Sequence, residues 1–120
     1  MEKLSPQEEE AMKAIWKTGE GTIKTFLEHM DPPLPPYTTL ASTVKNLEKK
    51  QFLSARLLGK VYFYKPTLSE EDYKNRFMTG FVKDYFANSY KEMVNFFVQK
   101  KKLSPAELKE IIHLIEKGHS

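Results

Sequence analysis

Cysteine is missing from this chain altogether. Its absence removes disulfide-stapled scaffolds, thiolate zinc clusters and thiol-based enzymes at once, and it suits a reducing interior. Histidine is scarce: His29, His113 and His119 stand far apart, with no metal-ligand spacing. No apolar run approaches the roughly 20 residues that cross a bilayer, and the N-terminal stretch lacks a signal peptide's apolar segment. The expected location is therefore cytoplasmic, without direct membrane insertion. Phosphate loops and nucleophile–base pairs are also missing. The acidic runs Glu8–Glu10 and Glu70–Asp72 read as first-turn charges that complement helix dipoles. No enzyme is expected, and no cofactor.

What is present is an uneven charge. The net value over 120 residues is only +3, but residues 1–30 carry four basic and six acidic side chains, whereas residues 31–66 carry six and two. The positive segment calls for an acidic partner.

Helix starts are written three times, as LSPQE, LSEED and LSPAE. In each, Ser5, Ser69 or Ser104 is the N-cap, and an acid three residues later reaches back to the cap's own N–H. The first helix is expected over Ser5–Lys17, with Met12, Ile15 and Trp16 as its buried stripe, and Gly19 and Gly21 end it. A short helix from Thr22 follows, then the connector DPPLPP, then a third helix over roughly Pro36–Lys50. SARLLGKVYFYKP reads as two short strands around a turn near Gly59. Val61 and Phe63 fall on one side, Tyr62 and Tyr64 on the other, and Phe63 is the one expected to cover the core. Everything from Ser69 onward has helical spacing. The fold class is mainly α with a small β-hairpin: a winged helix-turn-helix over residues 1–67, followed over residues 68–120 by helices suited to dimerisation.

Placed about 100° apart around the third helix, Leu40, Val44 and Leu47 share one face. Opposite them lie Thr38, Ser42 and Lys49, flanked by Lys45 and Asn46, while Glu48 falls at about 80° from Leu40, off that outer arc. Hydroxyls at the entering end, then amide and basic groups, suit the major groove of DNA. Tyr37, Thr39 and Lys49 border the same surface, and Arg56, Lys60 and Tyr62 on the hairpin could follow a phosphate backbone.

Four stretches, LSPQEEEAMKAIW, PPYTTLASTVKNLEKKQFL, GKVYFYKPTLSEEDY and MVNFFVQKKKLSPAELKEI, together resemble the BlaI/MecI family of winged-helix repressors of penicillinase and methicillin-resistance genes. The resemblance spans nearly the whole chain. It implies a homodimer that binds palindromic double-stranded operator DNA and represses transcription. Dimerisation would fall to the C-terminal helices, whose candidate faces carry Phe77, Phe81, Tyr85, Phe97, Leu108, Ile112 and Ile115. The family also implies release by a membrane sensor metallopeptidase that cuts an Asn-Phe bond in the dimerisation region. Here Asn95-Phe96-Phe97 contains such a bond, displaced by one residue from the family position. A second departure is Pro36-Tyr37, where relatives begin the recognition helix with Ser-Pro; the cap must then come from Thr38 or from solvent. Two alternatives share the fold. One is a regulator released by a small ligand, held between the wing and the C-terminal helices. The other is a protein-interaction module that never touches DNA.

Overall fold

The computed structural model describes residues 3–117, so His119 lies outside the described residues. Among them the chain forms six helices and one hairpin: α1 (Pro6–Thr18), α2 (Ile23–Glu28), α3 (Tyr37–Lys49), β1 (Leu53–Leu58), β2 (Val61–Pro66), α4 (Glu70–Phe86), α5 (Tyr90–Gln99) and α6 (Pro105–Lys117). They divide into two compact units, one ending at Arg76 and the other beginning at Phe77.

All three serines cap their helices as the sequence indicates, and at Ser5 and Ser104 the acid three residues on also reaches back. Ser5 Oγ accepts from the Glu8 N–H while the Glu8 carboxylate accepts from the Ser5 N–H. Ser104 and Glu107 repeat the reciprocal pair, and Ser69 Oγ accepts from the Asp72 N–H. A fourth cap, Ser89 Oγ accepting from the Glu92 N–H, starts α5. It has the same S-x-x-E spacing but no Pro and no preceding Leu, and sequence reading passed over it.

The N-terminal unit is a winged helix. Met12 and Ile15 from α1, Phe26 from α2, and Leu40, Val44 and Leu47 from α3 enclose one apolar core with Phe52, Leu53 and Tyr64. Each such side chain contributes roughly 1.5–3 kcal/mol through burial. Trp16 is only partly buried. Its indole N–H donates to the Leu68 carbonyl at 3.1 Å, and its ring lies 5.4 Å from that of Tyr73, which also meets Phe52. These contacts bring the first turns of α4 into the unit, which therefore runs past Thr67 to Arg76.

The hairpin is antiparallel, with Leu57 opposite Tyr62 and Leu58 opposite Val61 across Gly59-Lys60. Gly59 has φ 62°, a left-handed conformation glycine adopts without penalty. Tyr64 also exchanges both backbone hydrogen bonds with Gly21, at 2.8 and 2.9 Å. Gly21 thus serves as a third strand one residue long, and a Cβ there would press on Phe26 at 3.1 Å and Thr18 at 3.2 Å. The bridge turns Tyr64 inward, to 4% exposure. This corrects the expectation for Phe63, which is only half-buried. Burial first, then the nearby Glu48, Tyr62 and Tyr37, hold the Tyr64 phenol above its usual range.

α3 closes in a Schellman turn. Phe52 N–H donates to the Leu47 carbonyl and Gln51 N–H to the Glu48 carbonyl, with Gln51 at φ 68°. Lys50, at the same end, donates to Glu8 at 2.7 Å and to the Lys3 carbonyl at 3.2 Å. Burial pushes the Glu8 carboxyl up, but hydrogen bonds from Lys50 and Ser5 outweigh it and leave the pKa below the ordinary 4.5. A depressed folded-state pKa gives stability that is complete above the ordinary value and is lost as pH falls through the lowered one. Lys50→Ala should accordingly cost about 1–3 kcal/mol at neutral pH, because it leaves Glu8 buried with a single donor partner. The gap from the unsubstituted protein should narrow as urea denaturation is repeated down to about pH 3. An unchanged gap would remove the pair from the acid response.

In the C-terminal unit, Val82 is the one fully buried hydrophobic among the described residues. Aromatic rings chain along α4 and onto α5: Phe77 to Phe81 at 6.3 Å, Phe81 to Phe86 at 5.8 Å, and Phe86 to Phe96 at 5.8 Å. α5 and α6 contain no buried residue.

Candidate nucleic-acid interface

The outward surface of α3 follows from its period. With Leu40, Val44, Leu47 and also Thr43 buried, Tyr37, Thr38, Thr39, Ser42, Lys45, Asn46 and Lys49 are all exposed. Thr43 keeps its hydroxyl satisfied by donating to the Thr39 carbonyl at 3.0 Å. Glu48 is exposed as well, contrary to the angular reading that placed it off the outer arc. Its charge adds to the effects that raise the Tyr64 pKa.

The start of α3 also differs from expectation. Pro36 is the N-cap, no side chain caps the helix, and Thr38 lies within the first turn. The Pro36 carbonyl accepts from Leu40 N–H at 3.1 Å, and the N–H groups ahead of Leu40 receive no side-chain acceptor from the cap. Such amides bind anions readily.

On the wing, Lys60 sits exposed in the turn and Tyr62 is 55% exposed, its ring 6.4 Å from that of Tyr64. Arg56, expected along the phosphates, is exposed but committed: its Nε and Nη2 donate to the two carboxylate oxygens of Glu20 at 2.7 and 2.6 Å. The hydrogen bond from Arg56 is the largest influence lowering the Glu20 pKa, and Glu20 in turn raises that of Arg56. Sequence reading missed Glu20, because nothing local in TGEGT announces a partner in the hairpin.

Two clefts border α3. One of about 630 Å³ is lined by Lys49, Lys50, Gln51, Thr67 and Arg76. The other, of about 370 Å³ and largely apolar, lies between the proline connector and Leu40 and Thr43. Among the described residues no cluster of histidine and carboxylate side chains could hold a metal ion, and no helix is long and apolar enough to cross a membrane.

Helix pair, bridged hairpin and an outward α3 surface of hydroxyl, amide and lysine groups together define a winged helix-turn-helix protein of the DNA-binding kind. Comparison with known proteins agrees. The sequence profile of the penicillinase repressor family matches residues 4–117. The methicillin resistance regulatory protein MecI of Staphylococcus aureus strain N315 is 25% identical over 116 residues, which cover 95% of this chain and 94% of that protein. The penicillinase repressor of Bacillus licheniformis is 27% identical over 114 residues, 94% of this chain and 89% of that protein. A solved structure, described as a mechanism for regulation of DNA binding of Bordetella bronchiseptica BpsR by 6-hydroxynicotinic acid, aligns over 95% of this chain and 74% of that one. Its TM-score is 0.49 and its identity 14%, a likeness on which nothing about ligand or target rests. The chain belongs to the penicillinase repressor family. It is a DNA-binding transcriptional repressor and not an enzyme.

Proposed function

We propose that two copies of the chain bind one palindromic operator, each laying α3 into a major groove, and so repress the adjacent gene in the cytoplasm. The observation that carries this reading is the exposed surface of α3, where Thr38, Thr39, Ser42, Lys45 and Asn46 form a short-to-basic series, with Glu48 the one acid exposed beside it. Tyr37, Lys49, Lys60 and Tyr62 border it and would lie along the phosphates. A two-fold dimer would set the half-sites about 34–36 Å apart or a multiple of that. The dimer contact would use the C-terminal unit. Phe77, Tyr85, Ile112 and Ile115 are 45%, 70%, 53% and 56% exposed, with Phe81, Phe97 and Leu108 half-buried beside them. So much apolar surface on a small unit favours a second copy as its cover.

Release would follow cleavage by a membrane sensor metallopeptidase at Asn95-Phe96-Phe97. That segment lies inside α5, with Asn95 and Phe96 exposed, so α5 must unwind before a protease can read it as an extended strand. Selection of binding sites from random DNA tests the central reading and should return an inverted repeat; unrelated single sites would overturn the two-fold arrangement. Mass mapping after exposure to the sensor should find a new terminus between Asn95 and Val98. A second reading, release by a small apolar ligand, has the cleft against Leu40 and Thr43 in its favour. It would be preferred if the chain stayed intact during induction.

A further inference from the structure

We infer that Glu20 and Arg56 form a clasp across the small sheet that fixes the angle of the wing, so that Arg56 serves operator binding as a positioning residue and not as a phosphate ligand. This inference rests on the reading of α3 and the wing as the DNA interface.

The register defines the clasp. Arg56 on β1 stands opposite Phe63 on β2, and the next residue of β2, Tyr64, is bridged on its other side by Gly21. β2 is therefore the central strand. Arg56 reaches across it to Glu20, the neighbour of Gly21, and opposed residues of an antiparallel pair share a face, so Phe63 lies on the side the ion pair spans. Two parallel N–H to oxygen bonds, at 2.6 and 2.7 Å, make the contact directional as well as attractive.

Its place matters more than its strength. A two-stranded hairpin is marginal by itself, and this one is joined to the body by the bridge at Gly21 and by packing at its base. Beyond Arg56 the hairpin loses that support: Leu57, Leu58, Val61 and Tyr62 are 54%, 45%, 48% and 55% exposed. The clasp thus sits where the wing leaves the domain, and it links β1 directly to the segment between α1 and α2. With Nε and Nη2 donating to Glu20, Arg56 could meet a phosphate only through its remaining N–H groups, with the Glu20 carboxylate beside them offsetting its charge. Lys60 at the tip carries no such conflict.

Removing an acid from a DNA-binding protein ordinarily tightens binding. Glu20→Gln should do the opposite, weakening operator binding about two- to fivefold, the range of an exposed ion pair, with the slope of log K against log salt unchanged. Arg56→Met should give the same loss at the same slope. Arg56→Lys should be no better than Arg56→Met, because it keeps the charge but cannot fork onto a carboxylate. Circular dichroism melts of each variant should show the domain folded. Tighter binding by Glu20→Gln would make Glu20 a competitor of DNA and overturn the inference. So would a slope shallower by about 0.9 in Arg56→Met, the mark of one lost phosphate contact, or wild-type affinity in all three variants. If the unsubstituted protein bound no DNA in a salt-dependent way, the underlying reading would fail first, and visibly so.

Discussion

Lys45→Ala combined with Lys49→Ala should weaken operator binding by roughly 10- to 100-fold and flatten its salt dependence by about 0.9–1.8 in slope, while leaving thermal stability unmoved. The size follows from position. Both lysines are exposed on the outer arc of α3, one turn apart, and among the described residues neither forms an ion pair. Lys45 stands beside Asn46 at the middle of the proposed reading surface, where a guanine edge or a phosphate would come within reach. Lys49 stands at the helix end, where the phosphate backbone would pass. If both meet phosphate, two condensed counterions fewer are released on binding and the slope falls by the larger amount. If Lys45 reads a base, the slope falls by the smaller amount and the ranking of operator sequences changes as well. Titration at three salt concentrations, with melting curves alongside, separates these outcomes. A steep slope retained by the double variant would place the DNA surface elsewhere.

Ile112→Asp combined with Ile115→Asp should turn a dimer into a monomer at micromolar concentration, with dissociation favoured by roughly 100-fold or more, since burying each isoleucine is worth roughly 1.5–3 kcal/mol. Both are more than half exposed on α6, so the substitutions remove little from the chain's own packing. Far-ultraviolet circular dichroism should stay close to that of the unsubstituted protein. A monomer engages one half-site at a time, and its operator affinity should collapse toward that of a single α3. Sedimentation velocity reads the mass, and footprinting reads the loss of two-fold protection. A variant that stayed dimeric would shift the contact to the aromatic chain of α4 and α5, where Phe77, Phe96 and Tyr85 are exposed.

Local rules made much of this fold legible. Serine caps with a partner three residues on, and the spacing of Leu40, Val44 and Leu47, need only neighbours within a helix turn or two. Most of the exposed arc of α3 came with that spacing, Glu48 excepted, since burying one face largely settles the other. The features that escaped depend on residues distant in sequence. Alternation along VYFYK offers aromatic rings to both faces, and what selects Tyr64 over Phe63 is the bridge to Gly21. Arg56 looks like a free cation until Glu20 is folded against it. Lys50, in sequence one more basic residue of NLEKKQF, proves to anchor the end of α3 on Glu8. The family resemblance covered the chain's organisation but could not supply these pairings.

If α3 reads the operator as proposed, its bare N-terminus would divide the labour of recognition. Pro36 has no N–H and no hydroxyl, so the first-turn amides are left to whatever acceptor arrives. A phosphate oxygen there would be gripped in one direction only, and identically whatever base lies beneath it. The helix would then be locked in register by a sequence-blind contact. On the proposed reading the choice among operators would fall to Ser42, Lys45 and Asn46, and a change at any of these three would retune the repressor's address without disturbing how firmly it is seated.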